Sequence, residues 1–455
     1  MTQRLAIINV VGLSANLVGE HTPCLQALAS RAGLRRLVPP LPAVTCTVQS
    51  SMLTGQSPAG HGIVGNGWYD RTLGEVQFWK QSNRLVCGEK LWETARRRDP
   101  NFTVANLFWW FNMNTSADIA VTPRPMYPAD GRKIPDVHAQ PPEWRRSLQD
   151  RLGRFPLFSF WGPMASIESS EWIASAAMAV NDAAHATLTL VYLPHLDYPL
   201  QKLGPEDARI PSELRAIDSV VGRLLDAFDR DGVRTMVVSE YGIEPVDDAV
   251  WINRFLREAS LLAWREELGR EVLDPVGSRA FAVADHQVAH VYVRDPADLP
   301  AVADLCRAVP GVEQVLNRQE QSAHGIEHAR AGDLVLVASP RRWFAYGWWL
   351  DDRRAPDYAR TVDIHRKPGY DPLELFVDPA IRFPKAAVGW RLLKRKLGFR
   401  TLLDIIPLRT DLVRGSHGRV QVQPGFEPVL IGAGNGPDLE ALQVRDVALE
   451  AMGLR

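Results

Sequence analysis

The amino-acid sequence predicts an α/β fold: a mostly parallel central sheet flanked by helices, with a small α+β insert. Short apolar runs alternate with longer amphipathic stretches, which is typical of a parallel sheet covered by helices. Between residues 246 and 345 the pattern changes, because several short strand patterns there surround a single helix pattern. With 455 residues, the chain exceeds one typical core, so we expect a large domain and a smaller one.

The predicted elements follow from the apolar patterns in chain order. Compact apolar runs indicate buried strands, and apolar residues repeating every three to four positions indicate helices. The predicted strands are 5–11, 102–108, 187–193, 234–239, 281–283, 288–293, 312–316 and 333–338. The predicted helices are 22–33, 173–186, 213–231, 296–309 and a basic helix between Arg382 and Arg400.

These elements divide the chain into domains. We expect residues 1–245 and 346–445 to form the core, with residues 246–345 as a cap insert. Residues 446–455 are predicted to form a C-terminal tail.

Amino-acid composition and net charge exclude several classes of protein. The 46% hydrophobic and 23% charged residues are globular values and exclude a disordered or fibrous chain. The 52 basic residues are balanced by 53 acidic residues, so we expect no nucleic-acid polymer as a partner. No apolar run reaches the roughly 18 residues of a membrane-spanning helix, and the short apolar N-terminal stretch indicates a first strand rather than a signal peptide.

The four cysteines are scattered, without a CxxC pair. This pattern indicates neither a disulfide framework nor a thiolate zinc site. A reduced, cytoplasmic location is therefore expected.

Four polar clusters lie after predicted strands or in late loops. Catalytic groups in α/β folds gather just beyond the carboxyl ends of the strands. A hydroxyl ahead of a helix can act as a nucleophile, and carboxylates or histidines nearby can hold a metal that activates it. The candidates are Thr45 in the first cluster, Asp197 in the second, Glu240 in the third and His417 in the fourth.

This order of clusters resembles the alkaline phosphatase superfamily, and within it the type I phosphodiesterase/nucleotide pyrophosphatase branch. The N-terminal block carries the most specific similarity, since family members typically read TPxLxxLAxxG, PxxT, LLTG and HGI. The matching segments here begin at Thr22, Pro42, Leu53 and His61. The resemblance implies an alkaline-phosphatase-like fold with a cap after the third cluster. It also implies hydrolysis of a phosphate ester, phosphodiester or nucleotide pyrophosphate with Thr45 as nucleophile.

The resemblance also implies metal ions, because family members usually hold two divalent metals, most often zinc, with manganese or magnesium as other possibilities. Of seven expected ligand positions, Thr45, Asp197 and His417 are unchanged, and Glu240 replaces an aspartate. The other three positions also differ, because Val11 replaces an aspartate and Gln201 and Tyr241 each replace a histidine. Valine cannot bind a metal and a neutral amide is a poor zinc ligand. We therefore expect at most one tightly held metal, centred on Asp197 and His417.

A second polar segment, from Asp363 to Asp371, offers replacement groups. Asp363 and His365 alternate along an extended segment and can face one direction, so they are candidate ligands for an additional metal. Arg366 and Lys367 are candidate phosphate-binding residues. The remaining candidates are Asn66 for substrate binding and, with less support, Gln201, Tyr241, Asp285 and His286.

Two alternatives remain open at this stage. The substituted ligand positions allow a catalytically altered or inactive relative that binds a phosphorylated ligand or a partner protein. The segment from Arg382 to Arg400 has seven basic and no acidic residues. It predicts either a surface helix packed on the core or a contact with an anionic membrane. The sequence does not predict the oligomeric state.

Overall fold

A nine-stranded sheet lies at the centre of the computed structural model, which describes residues 2–129, 132–399 and 401–454 but not the side chain of residue 395. The strands in the described chain are β1 (Leu5–Val10), β2 (Leu34–Val38), β3 (Gly67–Asp70), β4 (Glu75–Phe78), β5 (Val104–Leu107), β6 (Ile119–Pro123), β7 (Val137–Gln140), β8 (Leu188–Leu193), β9 (Arg234–Val238), β10 (Glu244–Pro245), β11 (Asp248–Val250), β12 (Trp264–Glu267), β13 (Arg270–Leu273), β14 (Ala280–Asp285), β15 (Val288–Val293), β16 (Val312–Leu316), β17 (Leu334–Ala338), β18 (Arg342–Phe344), β19 (Gly415–Ser416), β20 (Val429–Ile431) and β21 (Leu439–Glu440).

The helices supply the outer layers. The α-helices in the described chain are α1 (Pro23–Ala32), α2 (Thr45–Thr54), α3 (Pro58–His61), α4 (Leu91–Arg98), α5 (Glu143–Leu152), α6 (Leu157–Phe160), α7 (Ile167–Ala184), α8 (Asp197–Leu203), α9 (Ile210–Arg230), α10 (Ile252–Glu258), α11 (Leu299–Ala308), α12 (Arg318–Ala323), α13 (Pro384–Lys396) and α14 (Val444–Ala451).

The central sheet has the order β21-β2-β20-β9-β1-β8-β5-β6-β7. Its middle strands β9, β1, β8, β5 and β6 pair in parallel, whereas β20 and β7 add antiparallel neighbours on either side. Strands β1 and β8 are fully buried, which explains why they read as continuous apolar runs. The predicted α/β class with a mostly parallel sheet is confirmed.

A second sheet lies within the sequence region predicted to be the insert. It is antiparallel, in the order β14-β15-β17-β16, and α11 packs against it through Val302 and Cys306. The strands of the central sheet come from residues outside 246–345. The division into domains stays a prediction.

The C-terminal segment, predicted as a tail over residues 446–455, is described up to residue 454 and contains most of helix α14. Helix α14 packs against α2 and α4, and its Leu449 is buried together with Met452. The backbone amide of Gln3 also donates a hydrogen bond to the carbonyl of Met452. Burial of these apolar side chains attaches the end of the chain to the core.

The basic segment forms a helix, α13, as the sequence predicts. Within the described chain, we find no helix that combines the length and the apolar character needed to cross a membrane.

Candidate active site

Thr45 is the first residue of helix α2 and lies in the interior, with 4% of its surface exposed. Its hydroxyl is 3.0 Å from the hydroxyl of Tyr241, which follows β9. The next residue must be glycine, because a Cβ at Gly242 would lie 1.8 Å from the carbonyl oxygen of Phe426. This close backbone approach fixes the chain that presents Tyr241 to Thr45.

Hydrogen bonds connect Thr45 to a chain of four further side chains. The Tyr241 hydroxyl donates to Asp197 Oδ1 at 3.2 Å, and since it has one hydrogen, Thr45 must donate to Tyr241. The other oxygen, Asp197 Oδ2, accepts from the Gln201 amide at 2.9 Å. The Gln201 carbonyl oxygen in turn accepts from the Tyr370 hydroxyl at 2.9 Å. The threonine proton therefore has a direct path through one phenol to a buried carboxylate.

Glu240 forms a second carboxylate group beside this chain. Its Oε1 accepts hydrogen bonds from the amides of Asn9 and Gln49, both at 2.6 Å. The Gln49 carbonyl oxygen is fixed by the backbone amide of Trp110 at 2.6 Å. Glu240 Oε2 is buried and has no hydrogen-bond partner of normal geometry. One oxygen of Glu240 is therefore held by two amides, and the carboxyl group also interacts with the Thr45 hydroxyl, which lowers the pKa of Glu240 and partly opposes the effect of burial.

His417 closes the site from the opposite side. Its Nδ1 donates to the carbonyl oxygen of Ala43 at 2.8 Å, so its Nε2 is the acceptor nitrogen of a neutral ring. That nitrogen has no hydrogen-bond partner and lies 3.8 Å from Asp197 Oδ1. The imidazole stacks on Tyr241 with ring centroids 3.5 Å apart and lies 3.8 Å from the ring of His286.

The second sheet contributes Asp285 and His286 to the same cluster. The His286 ring stacks on Tyr370 at 3.6 Å, and its Nδ1 lies 2.8 Å from Asp285 Oδ1. Asp285 also accepts hydrogen bonds from the backbone and side-chain amides of Asn66, at 2.7 and 3.0 Å. Asn66 then accepts a hydrogen bond from the backbone amide of Cys46 at 3.0 Å. Asn66 thus connects the second sheet to the N-terminal turn of α2.

Burial shifts the pKa values of the three carboxyl groups upward. Loss of solvation raises the pKa of Asp197 and of Glu240 to about 7, and that of Asp285 to about 6. The charge of Glu240 contributes further to the raised pKa of Asp197, whereas hydrogen bonds from Gln201 and Tyr241 oppose it. Burial also holds the pKa of His417 well below its ordinary value. The site therefore combines neutral imidazoles with carboxyl groups that titrate near neutral pH.

The structure brings together most of the residues that the sequence selects. Three further residues of the cluster, Asn9, Gln49 and Tyr370, are absent from the sequence prediction. Asn9 carries a recognisable signal, since it is a polar residue within the apolar strand β1. Gln49 and Tyr370 carry no such signal, because their roles depend on contacts between distant segments. The predicted residues in this cluster are Thr45, Asn66, Asp197, Gln201, Glu240, Tyr241, Asp285, His286 and His417.

Asp363 and His365 lie outside this cluster of site residues. The Asp363 carboxylate is 3.5 Å from the guanidinium of Arg366, which also approaches Asp357 at the surface. His365 Nδ1 donates to the carbonyl oxygen of Phe78 at 3.4 Å. In the described chain, neither Asp363 nor His365 forms a hydrogen bond or ion pair with Asp197, Glu240 or His417. The geometry gives no support to them as additional metal ligands, or to Arg366 as a phosphate-binding residue.

Lys367 lies in the interior, between two carboxylates. Its buried ammonium is 2.7 Å from Asp371 Oδ2 and 2.8 Å from Glu374 Oε1. Trp161 donates to the other oxygen of Glu374 at 2.5 Å. Because a buried charge requires paired counter-charges, this ammonium is held by two carboxylates and does not face a ligand.

Comparison with known proteins places this arrangement in a family. The family model described as type I phosphodiesterase / nucleotide pyrophosphatase matches residues 5–371. The chain belongs to this family. The resemblance seen in the N-terminal sequence block is therefore confirmed.

One curated member of the family is an uncharacterized pyrophosphatase/phosphodiesterase of Schizosaccharomyces pombe. It is 24% identical to this chain over 261 residues, which is 54% of this chain and 46% of the yeast protein. The chain thus matches a little under half the length of that relative.

Solved structures share the fold over nearly the whole chain. Human ectonucleotide pyrophosphatase / phosphodiesterase 5 has a TM-score of 0.59 and 11% identity, with 100% of this chain and 96% of that chain covered. An inactive variant of the murine protein, in complex with AMP, has a TM-score of 0.59 and 12% identity, with the same coverage. Phosphonoacetate hydrolase from Sinorhizobium meliloti, in complex with phosphonoformate, has a TM-score of 0.61 and 16% identity, with 99% and 96% covered.

The donor set of this family member does not fit a pair of metal ions. Val11 is buried and has no donor atom, and Tyr241 uses its hydroxyl to connect Thr45 with Asp197. Gln201 turns its NH₂ group toward Asp197, while its oxygen is occupied by Tyr370. In the part of the chain that the structure describes, no group of three or more His, Cys, Asp or Glu side chains is placed to hold a metal. Neutral hydrogen-bond donors, Gln201 and Tyr241, thus stand at two of the positions where the family resemblance implies metal ligands.

Proposed function

We propose that this protein hydrolyses a phosphodiester or nucleotide pyrophosphate bond, with Thr45 as the nucleophile. The observation that carries the proposal is the hydrogen-bond chain from Thr45 through Tyr241 to Asp197, at the N-terminus of α2. The positive end of a helix dipole favours a phosphoryl group and the charge that develops on the threonine oxygen. Family membership supports the reaction class.

The first step transfers the phosphoryl group to Thr45. As the Thr45 oxygen attacks phosphorus, its proton passes to the Tyr241 oxygen while the phenolic proton passes to Asp197. The bond from phosphorus to the leaving oxygen breaks, and that oxygen takes the proton of neutral Glu240. This step needs an ionised Asp197 and a protonated Glu240, and both groups have a pKa raised to about 7 by burial.

The second step returns the site to its starting state. A water molecule attacks the phospho-threonine and gives one proton to the Glu240 carboxylate. The Thr45 oxygen leaves phosphorus and regains its proton through Tyr241 from Asp197. Asn66 would act as a positioning residue, because it joins the backbone of α2 to Asp285. No metal step is included, since the donor set does not fit the family's two ions.

The charge of the site favours a particular substrate class. Three buried carboxyl groups surround Thr45, and the guanidinium and ammonium groups of Arg366 and Lys367 pair elsewhere. A singly charged phosphodiester is repelled less than a doubly charged phosphate monoester. We therefore place small phosphodiesters and pyrophosphate diesters ahead of monoesters.

A second candidate function is ligand binding without turnover. The Thr45 hydroxyl is almost inaccessible to solvent and Val11 replaces a family carboxylate, both of which favour this alternative. In that case the protein would bind a nucleotide such as AMP, which the murine neighbour holds, with no chemical step.

The experiment compares four proteins: wild type, Thr45→Val, Tyr241→Phe and Thr47→Val. We expect Thr45→Val to reduce kcat on bis(p-nitrophenyl) phosphate at least about 100-fold, because the nucleophilic oxygen is lost. Tyr241→Phe should reduce kcat at least about tenfold, because the proton path is broken. Thr47→Val is the matched control, since its buried hydroxyl on the same helix has no hydrogen-bond partner.

The outcomes separate the two candidates. Unchanged turnover in Thr45→Val would refute the nucleophile. Wild-type protein that binds AMP by calorimetry but cleaves neither diesters nor nucleotide pyrophosphates would support the binding function instead.

A further inference from the structure

Helix α13 exposes an apolar face to solvent, which is unusual for a surface helix. Phe383 immediately before α13, Trp390 within it and Leu397 immediately after it follow one another at intervals of seven residues, about two helical turns. The backbone hydrogen bonds from Ala387 to Phe383 and from Leu397 to Leu393 continue the helical geometry to both ends, so these side chains lie on the same side as Leu393. Trp390 is 57% exposed and Leu397 is 66% exposed. A contiguous exposed apolar patch of this kind marks an interaction surface.

The opposite face of α13 attaches the helix to the protein. Val388 packs against a hydrophobic cluster that includes Tyr198, the residue after Asp197. Arg391 donates to Asp404 at 2.5 Å on the same side. The outward direction of Trp390 is therefore fixed by these contacts.

Positive charge borders the apolar face. The stretch from Arg382 to Arg400 has seven basic and no acidic residues, although the whole chain has a net charge of −1. Lys385, Lys394 and Lys396 are exposed. On a helical projection Lys394 lies at the edge of the apolar face, with its ammonium 5.3 Å from the Trp390 ring centroid. Lys385 and Lys396 lie beyond Leu393 on the other side, and their long side chains can extend toward the headgroups of a lipid layer while Trp390 and Leu397 enter it.

We propose that α13 binds the surface of an anionic membrane, with Phe383, Trp390, Leu393 and Leu397 in the headgroup region. The charge complementarity selects this occupant, since a zwitterionic surface offers no partner for the basic border and a second copy of the helix would repel it. The proposal does not depend on the proposed hydrolase activity. It places the Tyr198 side of the protein next to the lipid layer.

The test is co-sedimentation of the full chain with vesicles. We expect binding to phosphatidylcholine vesicles containing about one part in three phosphatidylserine to exceed binding to pure phosphatidylcholine at least about tenfold. Raising NaCl to about 0.5 M should reduce this binding several-fold. Trp390→Glu/Leu397→Glu should lose it, and so should Lys385→Glu/Lys394→Glu/Lys396→Glu.

Leu268→Glu is the matched control, because Leu268 is a fully exposed leucine outside this helix. It should bind as wild type does, and circular dichroism should show all variants folded, since the substituted side chains are exposed. Equal binding to both vesicle types, or wild-type binding by both helix variants, would overturn the proposal. So would a wild-type dimer that Trp390→Glu/Leu397→Glu converts to a monomer in the absence of vesicle binding, because the face would then be a self-association surface.

Discussion

Tyr241 shows at the scale of one residue how a single replacement changes the chemistry of its neighbours. A histidine at this position would offer a nitrogen to a metal, whereas the phenol accepts from Thr45 and donates to Asp197. Its ring stacks on His417 at 3.5 Å, so the phenol is held between two site residues. At a position where the family resemblance implies a histidine ligand, this chain has a phenol that forms hydrogen bonds to two site residues.

Glu240 gives a test of the raised pKa through protein stability. Its pKa is raised from 4.5 to about 7, mainly by loss of solvation. Below about pH 4.5 Glu240 is protonated in both the folded and the unfolded state. Its burial therefore lowers the free energy of unfolding least in this pH range. As pH rises toward 7, the unfolded state releases a proton that the folded state retains, so the free energy of unfolding falls.

Glu240→Gln removes this titration while retaining an oxygen for Asn9 and Gln49. We expect the change in the free energy of unfolding caused by Glu240→Gln to be more favourable at pH 8 than at pH 4, by about 1–3 kcal/mol. Urea unfolding at the two pH values measures the difference. Glu258→Gln, at an exposed position, should show almost no difference between the two pH values. An equal pH response in the two variants would contradict the raised pKa of Glu240.

At the scale of a chain segment, residues 363–374 illustrate how the same charged sequence can have two different roles. The density of charged groups suggests a ligand site, but Lys367, Asp371 and Glu374 form a buried ion cluster. Tyr370 in the same segment does reach the site, through Gln201. The segment therefore supports the site structurally by holding Tyr370.

Lys367→Met tests this structural role. Removing the ammonium leaves two buried carboxylates without their partner, so we expect a loss of about 3–5 kcal/mol in the free energy of unfolding. Lys385→Met, at an exposed position on α13, should change it little. A large rise in KM with unchanged stability would instead indicate that Lys367 binds the substrate.

At the scale of the whole molecule, the site is assembled from distant segments. Thr45 comes from α2, Asp197 from α8, Glu240 and Tyr241 from the end of β9, and Asp285 from the second sheet. His290 contacts the carbonyl of Val64, so the second sheet is held to the loop that carries Asn66. The positions at which the family resemblance implies metal ligands therefore meet only in the folded chain, because they lie on separate elements.

Restoring the residues that the family resemblance implies at positions 11, 201 and 241 tests whether their replacement limits the number of metal ions that the protein binds. We expect wild-type protein to retain at most one zinc ion per chain after gel filtration. Inductively coupled plasma mass spectrometry measures the zinc content. Val11→Asp/Gln201→His/Tyr241→His should gain at least one further ion, because a carboxylate and two imidazoles return. Adding His417→Ala to this variant should remove part of the gain. Two zinc ions in wild type would contradict the interpretation of the donor set.

The fold class follows from local features of the amino-acid sequence, and so does the selection of several residues that meet in the cluster around Thr45. Continuous apolar runs and period-3.6 apolar patterns are local properties, so β1, β8, α9 and the insert strands β14, β15 and β17 are visible in the printed sequence. Thr45, Asp197, Glu240 and His417 are also visible, because they occupy motifs of fixed spacing.

The contacts of these residues depend on how distant segments pack in the folded chain. Asp285 and Tyr370 enter the site because the second sheet and the segment before α13 fold against it, and no local pattern encodes that approach. Asp363 is an aspartate like Asp197 and Asp285, yet it pairs with Arg366 outside the cluster, and Lys367 pairs with Asp371. The physical reason is that desolvation and pairing depend on which distant segments surround a charge, whereas sequence patterns record only its neighbours along the chain.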